Sequence, residues 1–221
     1  MILTRKRIAQ FIAILLAISA RAAAQEPFHL QEATVDQIHA ALKNKQITCR
    51  ALVTAYLKRI EAYNLNGPKL NAVQTVNPRA LAEADRLDAA ARSGNLTGPL
   101  HCIPVLVKDQ VETADMPTTY GSILFREFTP QRDATAVKRL RAAGAIIIGK
   151  ATMGELASGY LGSGFGIARN AYNPAHSPAG SSSGSGSGIA ANFATLAIGE
   201  DTGGSIRGPA AFASARNRCA D

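Results

Sequence analysis

The sequence predicts an α/β fold with a mostly parallel or mixed sheet, and two observations carry that reading. Short apolar runs of strand length alternate with amphipathic segments of helix length, and residues able to do chemistry stand where the runs end. The 221 residues suffice for one domain of ordinary size. At 47% hydrophobic and 18% charged they can close a sizeable core, which excludes wholesale disorder. Aromatic residues make up 5% and tryptophan is absent, so that core rests on Ala, Leu, Ile and Val.

In chain order, the first segment reads as an address. Arg5-Lys6-Arg7 precedes the apolar run Ile8 to Ala20, and small residues ending Ala22-Ala23-Ala24 follow. That is the pattern of a secretory signal peptide, and it predicts removal of residues 1–24 by a cut between Ala24 and Gln25. The apolar run holds 13 residues and includes Gln10. It falls short of the ~20 apolar residues a membrane span needs. The mature chain, residues 25–221, is therefore expected to be exported to the bacterial periplasm or secreted, with no stable membrane span.

Helices come next. Thr34-Val35-Asp36-Gln37 has the form of a capping box, after which Ile38, Ala41 and Leu42 share a face. Thr48 can cap a second helix in which Val53, Leu57 and Ile60 recur at helical spacing, stopped by Asn66-Gly67-Pro68. Val73 to Val76 is a short strand. Asn77-Pro78 opens a third helix, with proline tolerated at its first position, and Gly94 closes it. From Leu100 the alternation sets in. Ile103 to Lys108 reads as a buried strand ending in the polar pair Lys108-Asp109. Asp133 can cap a helix through Val137 and Leu140 that ends at Gly144, and Ala145 to Ile148 is another buried strand. The Gly/Ser-dense segment Gly180 to Gly188 leads into Ile189 to Ala194. Thr195 to Ile198 is a further strand before the turn Asp201-Thr202-Gly203-Gly204-Ser205.

The net charge of +8 loses its meaning once located, because Arg5, Lys6, Arg7 and Arg21 all lie in the acid-free first 24 residues. The rest of the chain sets 20 basic against 16 acidic residues, with no basic stripe interleaved with aromatics, so no nucleic-acid partner is expected. Cys49, Cys102 and Cys219 stand far apart without a CxxC pair, which argues against a zinc ribbon or a disulfide scaffold. Export allows a pairing among the three, with at least one thiol left free.

Gly144 to Lys150 matches the spacing GxxxxGK of a phosphate-binding loop and fails on physics. The four residues between the glycines are apolar and β-forming, and Ala151 stands where the magnesium-binding hydroxyl belongs. Gly180 to Gly188 has the composition of a flexible linker, but it is short and is preceded by the turn-fixing Asn173-Pro174 and Pro178. It reads instead as a tight turn whose small residues let backbone and hydroxyl groups approach a substrate. Gly203-Gly204-Ser205 follows a strand and can aim several N–H groups at one spot, as an oxyanion hole requires. His29, His39, His101 and His176 give no Ser-His-Asp pattern with it, and no GxSxG elbow occurs. Lys108 is the better base: burial at the end of an apolar strand disfavours the ammonium and favours the neutral amine. A salt bridge from Lys108 to Asp109 or Glu112 is the competing structural role.

Three blocks then act together: GPLHCIPVLVKDQVETADMPTTYGS (Gly98 to Ser122), SPAGSSSGSGSGIAA (Ser177 to Ala191) and GEDTGGSIRGPAA (Gly199 to Ala211). With GKATMGELASG (Gly149 to Gly159), they resemble the amidase signature family over about residues 34–213. The resemblance implies a mixed, mostly parallel sheet flanked by helices and a Ser–Ser–Lys triad, with nucleophile Ser205, relay Ser181 and base Lys108. It implies an oxyanion hole from the backbone N–H groups of Thr202, Gly203, Gly204 and Ser205. The expected reaction is hydrolysis of a linear carboxamide, in a small molecule or a peptide, with no metal and no cofactor.

This sequence departs from the family pattern in places. Ala179-Gly180 stands for two glycines before the relay serine, and Ser183-Gly184 for the pair after it. Cys102 replaces a common glycine, and Gln110 and Thr152 common asparagines. Family members are much longer, and Ser214 to Asp221 does not look like the apolar strand that should follow. The reading is thus an N-terminal portion of an amidase signature domain. Two alternatives stand beside an active hydrolase: an inactive truncated remnant, and an amidotransferase A-type subunit, against which the signal peptide speaks. The oligomeric state is not legible.

Overall fold

A computed structural model of the chain describes residues 28–94 and 96–214. The signal-peptide reading, Cys219 and all but the first residue of the Ser214–Asp221 segment lie outside the described residues.

The N-terminal helices form where side chains satisfy their open N–H groups. Helix α1 (Val35–Lys43) starts on the Thr34/Gln37 capping box, with both reciprocal bonds made. Helix α2 (Cys49–Tyr63) has Thr48 as its N-cap, and its first turn is also capped from another helix. The Asp88 carboxylate accepts from Cys49 N (2.8 Å) and Arg50 N (3.0 Å). Asp88 sits on helix α3 (Ala80–Arg92), which packs on α2. That helix begins two residues later than proline's placement predicts, because Asn77 Oδ1 accepts from Arg79 N and makes residues 77–79 a turn.

Strand β1 (Val73–Val76) precedes α3, and β2 (Pro104–Lys108) follows it. Helix α4 (Thr135–Ala142) leads to β3 (Ile146–Ala151). A two-residue ribbon, β4 (Leu161–Gly162) with β5 (Gly166–Ile167), comes before helix α5 (Ser183–Ala190). Strand β6 (Leu196–Ile198) and helix α6 (Arg207–Phe212) complete the order. The main sheet runs β1-β3-β2-β6, with β2 parallel to both neighbours and β1 antiparallel at one edge. The sheet is mixed and mostly parallel, with helices packed against it, as the sequence predicts. Every residue of β2 and β3 is buried, as expected for strands inside a parallel sheet.

Several expectations need correction. Asp133 does not cap α4, which has Ala134 at its N-cap; its carboxylate instead accepts from Ala114 N (2.8 Å) and faces Arg141. Arg141 also pairs with Glu83 (2.8 Å) and Asp115 (2.7 Å), so one guanidinium ties α3, α4 and the loop after β2 together. Strand β3 continues three residues beyond Ile148, because β1 and β2 offer it partners on both sides through Ala151. The Gly/Ser run is chiefly a buried helix, α5, rather than a turn. Tertiary contact overrides poor helix propensity there, since a Cβ on Gly184 would stand 2.3 Å from Ala72 O and one on Gly188 2.7 Å from Leu106 Cδ1. Helix α6 had no forecast; Pro209 lies in its first turn, where a missing N–H costs nothing.

Cys49 and Cys102 form a disulfide, with Cα atoms 5.4 Å apart. It joins the first turn of α2 to the loop that enters β2. Among the described residues, no helix is long and apolar enough to cross a membrane.

Candidate active site

Lys108 owes its position to the strand it ends. Within β2, Leu106 and Lys108 share the face covered by α5, because side chains alternate along a strand. The turn beyond it is fixed by Asp109, whose carboxylate accepts from Thr119 N (3.1 Å), Thr119 Oγ1 (2.7 Å) and Gly121 N (3.0 Å). The competing role for Lys108, a bridge to Asp109 or Glu112, is not formed. Its ammonium is fully buried and donates to Ser181 Oγ at 2.7 Å and to Glu200 Oε2 at 3.0 Å. Burial pushes the Lys108 amine below its ordinary range, with Glu200 and then Asp201 opposing the shift.

Ser181 is also buried, at the turn just before α5. The Gly180–Ser181 peptide is cis. Gly180 admits no side chain, because a Cβ there would fall 1.8 Å from Gly159 O. Ala179 takes φ +54°, the left-handed region in which glycine is unstrained. Ser183, the other departure within this Gly/Ser block, begins α5 and sits fully buried.

The third block arrives from β6. Ser182 N donates to Ser205 O at 3.1 Å, which ties the turn carrying Ser181 to the Ser205 backbone. Ser182 Oγ bonds Glu200 O and accepts from Glu200 N, both at 3.3 Å. Asp201 organises the loop: its carboxylate accepts from Gly204 N (2.6 Å), Ile206 N (3.2 Å) and Arg207 N (3.0 Å), and pairs with the Arg207 guanidinium. The Arg207 contacts come first among the causes holding this carboxyl well below the usual carboxylate range.

The four expected oxyanion donors are not equivalent. Thr202 N donates to Glu200 Oε1 at 2.8 Å, and Gly204 N is taken by Asp201. The N–H groups of Gly203 and Ser205, and the Ser205 hydroxyl, carry no hydrogen bond among the described residues. Two carboxylates have thus claimed half the set, which a reading of residue types alone does not foresee.

Glu200 is the residue that sequence reasoning passed over. Its Oε1 accepts from the backbone and the hydroxyl of Thr202 while Oε2 holds Lys108. An acidic pair directly before Thr202-Gly203-Gly204-Ser205 was the available signal. The histidines stay away from this centre: His101 is buried at the opposite end of β2, with His39 Nε2 against its carbonyl, and His176 is exposed. No group of three or more His, Cys, Asp or Glu among the described residues is arranged to hold a metal.

Known proteins share this architecture. A family model described as Amidase matches residues 51–215. The A subunit of the glutamyl-tRNA(Gln) amidotransferase of Alkaliphilus metalliredigens is 44% identical over 186 residues, 83% of this chain and 37% of that protein. Its counterpart in Geobacter metallireducens is 44% identical over 82% of this chain. Among solved structures, the native peptide amidase of Stenotrophomonas maltophilia matches with TM-score 0.82 and 43% identity, covering 85% of this chain and 40% of its own. An amidase family protein of Bacillus anthracis matches with TM-score 0.77 and 40% identity. The chain spans 37% of the length of the two amidotransferase relatives just named. With the family model covering most of its length and the sheet, the three blocks and these relatives in agreement, the chain belongs to the amidase signature family.

Proposed function

We propose that this chain carries the triad of an amide hydrolase, with Ser205 as nucleophile, Ser181 as relay and Lys108 as base. The observation that carries the reading is the 2.7 Å hydrogen bond between the fully buried Lys108 ammonium and Ser181 Oγ. A lysine in so dry a position is the kind that reaches its neutral form at accessible pH. In the reaction, Ser205 Oγ attacks the carbon of a linear carboxamide. Its proton passes to Ser181 as Ser181 gives its own to the neutral Lys108 Nζ. A hydroxyl suits the middle place because it donates and accepts at once. The C–N bond then breaks as a proton returns through Ser181 to the leaving amine, which leaves an ester on Ser205. Water, deprotonated by the same relay, hydrolyses that ester and releases the carboxylic acid.

The oxyanion of each tetrahedral intermediate falls to the Gly203 and Ser205 N–H groups, which carry no hydrogen bond among the described residues, and the Thr202 and Gly204 groups join only where Glu200 and Asp201 release them. The relay uses no metal and no cofactor. Its substrate is a small-molecule or peptide amide, in keeping with the peptide amidase among the similar structures. The proposal includes export: the Arg5-Lys6-Arg7 and Ala22-Ala23-Ala24 pattern supports it, and the Cys49–Cys102 bond accords with an oxidising compartment. The same features favour a hydrolase over an amidotransferase component.

The test is covalent labelling. A serine-reactive fluorophosphonate should label the wild-type chain at Ser205 and not the Ser205→Ala variant, and Lys108→Met should slow labelling by about a hundredfold or more. Labelling of Ser205→Ala at the wild-type rate removes Ser205 as the nucleophile. No labelling of a folded wild-type chain favours the inactive-remnant reading.

A further inference from the structure

We propose that Glu200 is a positioning residue of this site: one carboxylate joins the Lys108 ammonium to the backbone and hydroxyl of Thr202, and so fixes a resting state with Lys108 charged. The inference rests on Lys108 serving as the base. The geometry is specific. Glu200 Oε2 lies 3.0 Å from Lys108 Nζ, while Oε1 accepts from Thr202 N at 2.8 Å and from Thr202 Oγ1. The Glu200 main chain is pinned at both its N–H and its carbonyl by Ser182, the neighbour of the relay serine. The Glu200 backbone is therefore fixed relative to the turn that presents Ser181, and side-chain rotation is the movement that can release Lys108 or Thr202.

The surroundings leave Glu200 as the dominant partner of Lys108. From the loop after β6, the charged groups facing it are Glu200 and Asp201, and Asp201 is engaged by Arg207 and three backbone N–H groups. Helix α5 carries no titratable residue. From the loop after β2, Asp109 is saturated by Thr119 and Gly121. On β3, Lys150 pairs in register with Val107 and so lies on the opposite face. Desolvation favours the neutral amine and Glu200 favours the ammonium, so the residue decides how much of the base is available at a given pH. The Thr202 contact adds a second consequence, because the same carboxylate withholds one oxyanion donor until it moves.

The experiment reads the lysine directly. Lysine labelled with ¹³C at Cε is titrated by NMR in the 221-residue chain, with Lys108 assigned through Lys108→Met. Glu200→Gln should lower the Lys108 midpoint by about one unit or more, the size of effect a lost ion-pair partner produces. The acid limb of fluorophosphonate labelling should move down equally, giving about tenfold faster labelling below the wild-type limb. Glu200→Asp, which keeps the charge one methylene shorter, should shift both in the same direction by less. If Glu200→Gln does not fold, as judged by circular dichroism and melting, the comparison rests on Glu200→Asp. A Lys108 midpoint unchanged in the folded variant overturns the proposal, whatever the labelling shows. An NMR shift without any labelling keeps the Glu200 coupling and removes the triad reading instead.

Discussion

Two buried lysines at neighbouring register positions show how far single residues can be read from sequence. Lys108 was legible, because a lysine ending an apolar strand is out of place unless it is used. Lys150 was legible only as a failed phosphate-loop lysine, since the spacing says nothing of where its side chain goes. It is fully buried and donates to Thr118 Oγ1 (2.8 Å) and Pro117 O (3.2 Å), both neutral, and burial lowers it to about 8. Glu200 escaped because its role needs two segments ninety-two residues apart to meet, a fact no local pattern holds. For Lys150 the sign follows from proton counting. Between pH about 8 and the ordinary value near ~10.4, the unfolded chain binds a proton there that the native chain does not. Native stability therefore rises with pH across that window, by roughly 3 kcal/mol from this residue at one unit per ~1.36 kcal/mol. Lys150→Met should lack that rise. Denaturant melts at pH 7.5, 9 and 10.5, spaced across the window at ~1.5-unit steps, measure the difference between the two proteins. A difference that stays flat means Lys150 is not held in a depressed state.

At the scale of elements, helical spacing located α1 and α2, turn and cap residues bracketed α3 and α4, and short apolar runs located the strands of the main sheet, but the reading failed at α5. The run Ser183–Ala190 carries three glycines, each costing about 1 kcal/mol of helix propensity relative to alanine, so composition argues against a helix. The helix exists because its small residues let it press onto β2, β3 and α6. Gly186 has the same cause, with its Cβ position 2.9 Å from Pro209 Cβ. Gly184→Ala sets the two effects against each other. Alanine gains about 1 kcal/mol of propensity, whereas the new methyl meets Ala72 O at 2.3 Å, Thr152 N at 2.5 Å and Thr152 O at 2.6 Å. Overpacking against rigid backbone costs ~1–3 kcal/mol or more, so the clash wins. The variant should melt several degrees lower and lose the Lys108–Ser181 contact, which slows fluorophosphonate labelling. Gly203→Ala is the control for stability, since nothing lies within 4 Å of its Cβ position. A Gly184→Ala protein that melts with the wild type would show that the helix can shift freely on the sheet.

For the whole molecule, the sequence announced the family architecture but left the cysteine pairing open among three residues, because spacing does not tell which ends of the chain meet. The fold supplies the answer by stacking α2 beside the entry to β2, which brings Cys49 and Cys102 together across a sequence separation of 53. The bond links the helical layer to the strand that carries Lys108. Closing a loop of that length removes denatured-state entropy worth about 4 kcal/mol in the chain-entropy model. A domain holds only ~5–15 kcal/mol in total, so this bond is a large share of the stability. The export reading and the disulfide then make one joint expectation. Protein recovered from the periplasm should begin at Gln25 by N-terminal sequencing and should show Cys49 and Cys102 oxidised in a peptide map, with Cys219 unpaired to either. Reduction, or the double substitution Cys49→Ser with Cys102→Ser, should lower Tm by on the order of 10 °C, given ~2–4 °C per kcal/mol for a domain of this size. A melt indifferent to reductant would leave the bond without energetic weight. Free thiols at both positions in exported protein, or recovery of the chain from the cytoplasm with residues 1–24 intact, would remove the oxidising compartment from the proposal.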